Sequence, residues 1–486
     1  MEFYLLSSES AIENAPILSF EIVNAVRSRE LQISGARSED FSDFTGEIHA
    51  SGSEYLFVGK LSSINASALR KHLPWLNPKA IGLNLSAGVG DRLGLATSGH
   101  ARAFSKYGQG VLPIFAQQSA REMHRLYRTP QEVMDDVTFG LVESSWQGQI
   151  GSDADHLKSI EDIDSCLAAG FSMFTLDPGD SVVRVPTNFD GKLGHLPWGE
   201  LEDSEASMLG RYVDKQFILE ESSRSFTDEQ IRRAAFKYSA AVASVVSMYR
   251  HLMLKATHEV EVEIAIDETS EVTTPGEHIF IATELKRLGV KWVSFAPRYI
   301  DGFEKAIEFK GSIKHLAENL KGHFAIAQAL GPYKLSIHTG SDKFSIYSLA
   351  NEVCKGLLHL KTSGTSYLEA LSVCAQHAPE LFREIYQSSY DSYAKSRSSY
   401  QVSADLNSAP LIGNLRDDDL KELLILEGTR QILHVGYGAA LTLQDSTGDF
   451  VLRNALQSCL IENKQDYDQA IEHHIGRHLS LLNKST

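Results

Sequence analysis

Short apolar runs rich in β-branched residues recur along the chain, and each is followed by a polar loop and a helical pattern. Several runs are apolar at consecutive positions, which is typical of parallel strands buried on both faces. Strands that alternate with helices predict βαβ units and therefore a parallel sheet. The eight runs that fit this template are Ala80–Leu85, Val111–Ala116, Val137–Val142, Phe171–Leu176, Val260–Ile266, Trp292–Phe295, Tyr333–Ile337 and Leu357–Leu360.

The polar clusters after these runs indicate how the sheet is arranged. Charged or hydroxyl-rich segments, among them 152–158, 267–271, 338–343 and 361–366, follow the predicted strands. In a closed barrel the carboxyl ends of all eight strands converge on one mouth, whereas in an open sheet they spread along an edge. The pattern therefore predicts an α/β fold, a (β/α)₈ TIM-like barrel, with a doubly wound open sheet as the alternative.

The predicted barrel spans residues 78–371 and contains one insertion, and a further region flanks it on each side. Residues 1–77 contain short alternating runs and predict a small N-terminal cap. Residues 181–228 form a polar insertion after the fourth predicted strand, which makes them a candidate cover for the mouth. Residues 372–486 have mostly helical spacing and predict a helical C-terminal extension.

Composition and charge narrow the class of protein. The 486 residues are 43% hydrophobic and 22% charged, which excludes a disordered chain. The net charge of −17 argues against nucleic acid or an anionic membrane as a partner. No apolar run reaches the roughly 18 residues of a membrane span, and the segment Met1–Leu6 lacks the basic start of a signal peptide. The four cysteines lack disulfide or zinc spacing, so we expect reduced thiols and a cytoplasmic protein.

Three residues at the ends of predicted strands form a candidate metal site. Glu268 follows the fifth predicted strand, and His338 and His359 alternate with apolar neighbours in the seventh and eighth. A carboxylate at the lumenal end of a barrel strand is costly to bury without a cation. The sequence predicts one divalent metal ion (Zn, Mn, Ni or Co) bound by Glu268, His338 and His359. Ordinary core histidines and a loop acid are the alternative.

A second cluster of ionisable residues follows the third predicted strand. Asp155, His156 and Lys158 lie within a few residues of one another and predict a general acid/base cluster. The alternative is a helix N-terminus capped by Asp153 or Asp155.

Basic and hydroxyl side chains near the strand ends predict a site for an anion. The loops after the seventh and eighth strands of barrels commonly bind anions through glycine-rich backbone and a helix N-terminus. Arginines in other loops are candidates for binding a carboxylate. Surface ion pairs and simple turn formation are the alternatives. The predicted substrate-binding residues are Arg92, Arg121, Arg298, Ser341, Asp342, Lys343, Thr365 and Ser366.

Six segments of the chain carry recognisable loop motifs in a fixed order, namely Gly88–His100, Ser152–Lys158, His278–Leu285, Ala296–Tyr299, Lys334–Ser345 and His359–Leu371. Together they resemble the tagaturonate epimerase family over about residues 80–440. The resemblance implies a divalent-metal-dependent isomerase that interconverts D-tagaturonate and D-fructuronate in hexuronate catabolism. The expected partner is this small-molecule keto-uronate, with a homo-oligomer left open. A metal-dependent sugar-acid aldolase or aldose–ketose isomerase, and a non-catalytic sugar-acid binding protein, are the alternatives.

The implied reaction restricts the mechanism. Counted from the carboxylate, the inverted carbon is C3 and the ketone is C5, so removal of the C3 hydrogen gains no resonance from the carbonyl. Retro-aldol cleavage of C3–C4 remains, as does transient oxidation by a nicotinamide, but no dinucleotide-binding glycine motif follows a predicted strand. We therefore favour retro-aldol chemistry, in which a metal would stabilise the enediolate. Asp155 and Lys361 are the candidates for moving the proton of the C3 hydroxyl.

Overall fold

The computed structural model describes residues 6–7, 18–25, 28–220 and 222–483. Residues 1–5, which belong to the segment Met1–Leu6 where no signal peptide is predicted, lie outside these ranges. The N-terminal region forms an antiparallel sheet of five strands. In chain order these are β1 (Leu6–Ser7), β2 (Ser19–Ala25), β3 (Ser28–Gly35), β4 (Glu47–Ser51) and β5 (Glu54–Lys60).

Eight parallel strands close into a barrel, which confirms the predicted α/β barrel fold. The strands that follow β5 are β6 (Ser86–Gly88), β7 (Leu112–Ser119), β8 (Gly151–Leu157), β9 (Met173–Leu176), β10 (Gln216–Leu219), β11 (Ser222–Ser225), β12 (Glu261–Ile266), β13 (Ser294–Pro297), β14 (Lys334–Ile337) and β15 (Leu358–Lys361). Strands β10 and β11 pair only with each other. The other eight form the wall in chain order, and β15 pairs with β6 to close it.

Helices surround the barrel and continue beyond its last strand. They are α1 (Ser63–His72), α2 (Thr97–Tyr107), α3 (Ala120–Leu126), α4 (Pro130–Glu143), α5 (Ile160–Ala169), α6 (Glu205–Tyr212), α7 (Asp228–Lys255), α8 (Pro275–Arg287), α9 (Ile313–Leu330), α10 (Tyr347–Val353), α11 (Ser366–His377), α12 (Pro379–Ser396), α13 (Glu427–Leu441), α14 (Val451–Glu462) and α15 (Lys464–Leu482). None of the helices in the described part of the chain is long and apolar enough to span a membrane.

The predicted third strand is wrong, because Val137–Val142 lies within helix α4. Helix α4 begins with a capping box between Thr129 and Glu132 and has proline at its first position. It packs on strand β7 on one side and on α1, α2, α5 and β2 on others, so most of its circumference is buried. A helix covered on several sides carries a continuous apolar run, which resembles that of a buried strand.

The true third strand is β8, in the segment that the sequence assigned to a loop. Asp153 and Asp155 therefore lie in the barrel wall rather than at a helix N-terminus. The first strand also differs, since β6 begins after the predicted run Ala80–Leu85. That run is held instead by Glu261, whose carboxylate accepts hydrogen bonds of 3.0 and 2.7 Å from the amides of Ile81 and Gly82.

The C-terminal helices pack against the barrel helices rather than forming a detached unit. Helix α15 lies against α2, α10 and α11, and α13 packs on α12. The insertion at 181–228 packs on the outer helices, where the Tyr212 hydroxyl donates a 2.6 Å hydrogen bond to Glu284 on α8. The cap, barrel and extension boundaries at 77 and 371 remain predictions.

Candidate active site

A cavity opens at the carboxyl ends of the barrel strands. It has a volume of about 280 Å³, and a smaller inner space of about 50 Å³ adjoins it. Among the described residues of the 181–228 insertion, none lines either space. Part of the wall comes instead from the segment after α12, through Ser398, Tyr400 and Gln401. The C-terminal extension, rather than the insertion, therefore borders the mouth. The residues common to both spaces are Glu268, Lys305, His338, Thr339 and Tyr400.

Two imidazoles and a carboxylate meet at the floor of this cavity. His156 Nε2 lies 3.4 Å from His338 Nδ1, and Asp267 Oδ1 lies 3.3 and 3.1 Å from these two nitrogens. The three atoms thus form a nearly equilateral triangle. Ligands of a tetrahedral metal ion with bonds of about 2.0–2.1 Å are separated by about 3.3 Å. The triangle therefore has the dimensions of a metal site.

The remaining contacts of both histidines direct their lone pairs into the triangle. His156 Nδ1 lies 2.9 Å from Asp155 Oδ1, and His338 Nε2 lies 2.6 Å from Glu263 Oε1. A ring nitrogen that donates to a carboxylate leaves the other nitrogen free as a ligand, and metal-bound histidines usually have such a partner. Asp267 Oδ1 is buried and has no hydrogen-bond partner among the described residues. These residues therefore fit a divalent ion.

The electrostatics of the triangle also favour a cation. Burial alone would lower the pKa of His156, but Asp155 and Asp267 raise it well above its usual value. Burial would likewise lower the pKa of His338, but the charge of Asp267 raises it above its usual value. The surrounding carboxylates thus attract positive charge, which either added protons or a metal ion can supply.

A β-bulge places His156 in this site. The register of β8 against β9 shifts between Ala154 and Leu157, and His156 has a left-handed φ of 53°. In a regular strand neighbouring side chains point to opposite faces, so Asp155 and His156 would diverge. The bulge turns the backbone so that both reach the mouth. A left-handed backbone conformation is disfavoured for residues other than glycine. Its presence at His156 is therefore a requirement of the site and not of strand pairing.

Lys361 lies beside the triangle within a ring of acceptors. Its Nζ is 2.7 Å from Asp153 Oδ2, 2.6 Å from Asp155 Oδ1 and 2.7 Å from Glu263 Oε1. It also donates a 2.8 Å hydrogen bond to the Thr175 hydroxyl. The predicted pair Asp155 and Lys361 is thus in direct contact, and both line the inner space.

The members of this ring differ in their affinity for protons. Burial would lower the pKa of Lys361, but Asp153 and Asp155 raise it well above its usual value, so the amine stays an ammonium ion. Burial would raise the pKa of Asp155, but His156 and Lys361 hold it well below its usual value. Burial raises the pKa of Asp153 to about 6 despite the opposing charge of Lys361. Of these two aspartates, Asp153 therefore has the pKa nearer to neutrality.

The predicted metal-binding residues are not brought together as one group. His338 belongs to the triangle, but Glu268 forms a bidentate ion pair of 2.8 and 3.0 Å with Arg121. His359 lies two residues before Lys361 on β15, and its Nδ1 is 3.0 Å from the Ser86 hydroxyl. Lumenal side chains two residues apart on one strand are separated by roughly 6.5 Å along it. His359 is therefore one layer too deep to reach the mouth.

Three of the eight predicted substrate-binding residues line the cavity. Arg121, bound to Glu268, and Ser341 line the inner space, and Arg298 lines the outer one. Arg298 donates to the Thr269 carbonyl oxygen and lies 3.2 Å from Asp301. Lys158 is outside both linings and pairs with Asp180 at 2.8 Å.

Five predicted substrate-binding residues line neither space of the cavity, and their role stays a prediction. Arg92 is buried in an ion pair with Glu122. The side chains of all five residues contact other groups of the protein. Arg92 also stacks on Tyr437, Asp342 pairs with Arg430, Lys343 donates to three carbonyl oxygens, Thr365 contacts His474, and Ser366 contacts His100.

The structure adds five residues that the sequence analysis did not select. Asp153, Glu263 and Asp267 are acidic residues in or directly after barrel strands, and for Glu263 the alternation with apolar Val262 and Ile264 was an available signal. Lys305 and Tyr400 come from loops far along the chain, and nothing in their local sequence marked them. Lys305 Nζ donates a 2.7 Å hydrogen bond to the Thr339 hydroxyl at the cavity wall.

Comparison with known proteins places the chain in a family. The model of the tagaturonate epimerase family (UxaE) matches residues 8–482. The chain belongs to this family. The tagaturonate/fructuronate epimerase of Thermotoga maritima is 36% identical over 475 residues, which cover 98% of this chain and 96% of that protein.

Solved structures of the family agree with this assignment. The native crystal structure of fructuronate-tagaturonate epimerase UxaE from Cohnella laeviribosi superposes with a TM-score of 0.88 and 30% identity, covering 98% of this chain and 96% of that one. Its complex with two glycerol molecules gives a TM-score of 0.87 at 31% identity, over 99% and 97% of the two chains. As a member of the tagaturonate epimerase family, the chain is a carbohydrate epimerase of the isomerase class.

Proposed function

We propose that the chain interconverts D-tagaturonate and D-fructuronate in hexuronate catabolism, with a divalent metal ion bound by His156, His338 and Asp267. The observation that carries this proposal is the triangle of their ligand atoms, with sides of 3.1–3.4 Å, at the floor of the cavity. The two substrates are inferred from the relatives, which are named as epimerases of tagaturonate and fructuronate. We retain the cytoplasm as the proposed compartment.

The proposed reaction is a retro-aldol cleavage followed by re-addition. The C3 hydroxyl loses its proton, the C3–C4 bond breaks, and its electron pair reduces the C5 carbonyl to an enediolate while C3 becomes an aldehyde. The aldehyde then turns over, and C4 attacks its other face, so that a proton returns to the C3 oxygen and the configuration is inverted. When bound, the metal ion supplies Lewis-acid stabilisation of the enediolate.

Lys361 and Asp153 are proposed to move the proton. Lys361 lines the inner space and reaches Asp153, which is fully buried beneath it. The ammonium group gives one proton to Asp153 and receives the proton of the C3 hydroxyl, so the ring as a whole takes up one proton. A carboxyl group with a pKa of about 6 is suited to accept and release protons near neutral pH. Asp155 instead orients His156 through its 2.9 Å contact.

Lys305 and Arg298 are proposed to bind the substrate carboxylate. Both line the outer cavity. The Lys305 ammonium group donates to a neutral hydroxyl, so it keeps donors for an anion. A charge-assisted hydrogen bond of this kind contributes about 1.5–3 kcal/mol.

Replacing Lys305 by methionine is expected to raise KM for the hexuronate about tenfold or more, because the substrate carboxylate loses a charged donor. A neutral ketohexose, tested as a substrate, should be affected much less. Lys314→Met is the matched control, since Lys314 is an exposed lysine on α9. Steady-state kinetics of the three proteins measure the effect. Equal losses on the acid and on the neutral sugar would contradict the proposed role of Lys305.

The retro-aldol route predicts that the C3–H bond is never broken. A substrate deuterated at C3 should therefore react with only a small secondary isotope effect, and epimerisation in D₂O should leave no deuterium at C3. Rates and NMR spectra of the products measure both quantities, and a carbonyl reagent that traps released aldehyde would reveal aldolase activity. A primary isotope effect of several-fold would instead support transient hydride transfer, and solvent deuterium at C3 would support direct deprotonation.

A further inference from the structure

A second set of histidine and carboxylate atoms converges behind the mouth, between helix α15 and the loop after β14. His474 and His478 are four residues apart on α15, so their side chains share one face of the helix. The Nε2 atoms of His474 and His478 lie 3.5 and 3.6 Å from Asp342 Oδ1. All three residues are buried, with 6%, 1% and 6% of their surfaces exposed for His474, His478 and Asp342.

The other ring nitrogens determine which atoms face Asp342. His478 Nδ1 lies 2.8 Å from the carbonyl oxygen of His474, so Nδ1 carries the proton. His474 Nδ1 lies 3.3 Å from Glu369 Oε1, so this ring too turns its second nitrogen toward an oxygen of the protein. The Nε2 atoms of both rings are therefore the ring nitrogens that lie nearest to Asp342 Oδ1. Histidine ligands of metal ions characteristically donate their second nitrogen to a carboxylate or a backbone carbonyl, as His478 does here.

Asp342 Oδ1 is a buried oxygen without a donor. Its partner oxygen, Oδ2, accepts a 2.6 Å hydrogen bond from Arg430, but Oδ1 has no hydrogen-bond partner among the described residues. The Thr365 hydroxyl lies 3.0 Å from His474 Nε2, and the Asp342 amide donates a 3.1 Å hydrogen bond to His478 Nε2, so Asp342 Oδ1 is the atom of the three that lacks a partner among the described residues. A buried carboxylate oxygen without a donor is unfavourable unless a cation lies close to it.

The histidines are in the protonation state that binds metals. Burial lowers the pKa of His474 to about 3 and also lowers the pKa of His478, so both imidazoles are neutral at physiological pH. The Arg430 guanidinium pairs with Asp342 Oδ2 at 2.6 Å and keeps this carboxyl ionised. Neutral imidazole and carboxylate are the forms that coordinate divalent ions.

We propose that Asp342, His474 and His478 bind a second divalent transition-metal ion, best matched by Zn²⁺, away from the reaction site. The separations of 3.5 and 3.6 Å need to contract only slightly to reach the roughly 3.3 Å of tetrahedral zinc ligands. The ion would replace the hydrogen bond from the Asp342 amide, and the Thr365 hydroxyl is placed to be a fourth ligand. It would fasten α15 to the loop that carries the cavity residue Ser341.

The proposal is tested by counting zinc ions per chain. Metal-free full-length protein is titrated with Zn²⁺ alone in competition with a chromophoric chelator. The double variant His474→Gln/His478→Gln should bind one zinc fewer per chain than the wild type. His473→Gln is the matched control, because the exposed neighbour His473 changes in the same way but should keep the wild-type count. Equal counts in the double variant and the control would overturn the proposal.

A further variant separates this site from the mouth. His338→Ala removes a ligand of the mouth site but leaves α15 intact, so it should still bind one zinc per chain. X-ray absorption of that zinc should show two imidazole nitrogens with oxygen ligands. This measurement also decides the matter if the double variant fails to fold. No zinc in His338→Ala, or a zinc without imidazole ligands, would overturn the second site. If the mouth held no ion, the wild type would bind one zinc and the double variant none.

Discussion

Replacing His338 by glutamine is expected to remove the divalent ion from the barrel mouth and to lower kcat by about 10³-fold or more. Lewis-acid stabilisation of an enediolate contributes several kcal/mol, and each 1.36 kcal/mol of barrier corresponds to about a factor of ten in rate. Glutamine retains an acceptor and a donor near Glu263, which lies 2.6 Å from His338 Nε2, so the fold should tolerate the change. Metal content per chain and the epimerisation rate are measured together.

The matched control is His359→Gln, the histidine that the sequence selected and the structure places one layer deeper. Its Nδ1 contacts Ser86, and burial lowers its pKa to about 3, so it is a neutral core histidine. This variant should keep the mouth ion, with circular dichroism confirming that it is folded. Loss of the ion in His359→Gln together with its retention in His338→Gln would restore the original ligand set and contradict the triangle.

Replacing Asp153 by asparagine is expected to lower kcat by about 10²- to 10⁴-fold while the metal content stays unchanged. The amide still accepts a hydrogen bond from Lys361, which lies 2.7 Å from the carboxylate, but it cannot store a proton. General acid–base catalysis contributes a factor of this size. Rates at saturating substrate, with metal analysis of the same samples, measure the effect.

Asp155→Asn provides the contrast to this variant, because the two carboxylates occupy the same strand and contact the same lysine. Asp155 also holds His156, so its loss should weaken metal binding by about 10- to 100-fold, and added metal should restore much of the activity. Recovery of Asp153→Asn on adding metal, or no recovery of Asp155→Asn, would show that the two roles are assigned the wrong way round.

Much of the barrel could be predicted from the sequence because parallel strands buried on both faces leave a local signal. Six of the eight predicted runs overlap the observed barrel strands, and one of the two errors came from helix α4. That helix is covered by the barrel and by the N-terminal sheet, so burial on several sides gives it a continuous apolar run like that of a buried strand. Hydrophobic pattern reports burial, and it distinguishes helix from strand only where one face is exposed.

The chemistry of the site was predicted in kind but not in detail. The sequence selected His338, His156, Asp155 and Lys361, which meet at the mouth. It assigned His156 to acid–base work, because Asp155 and Lys158 are ionisable neighbours in the same short segment, which was predicted as a loop. The bulge in β8 that turns His156 toward the mouth depends on pairing with β9, which is not encoded in the spacing of charged residues.

The sequence by itself determined the parallel barrel, the location of reactive residues at the strand ends and the likeness to an epimerase family, because these follow from local periodicity and contiguous motifs. Only the tertiary structure decided which side chains lie at the same height inside the barrel. Strand register sets Lys361 beside Asp153 and His359 beside Ser86, one level below. Long-range packing likewise turned Arg92, Asp342 and Lys343 toward partners in the C-terminal extension and in loops far along the chain. Contacts between residues so distant in the chain are fixed by folding of the whole and leave no mark in the local pattern.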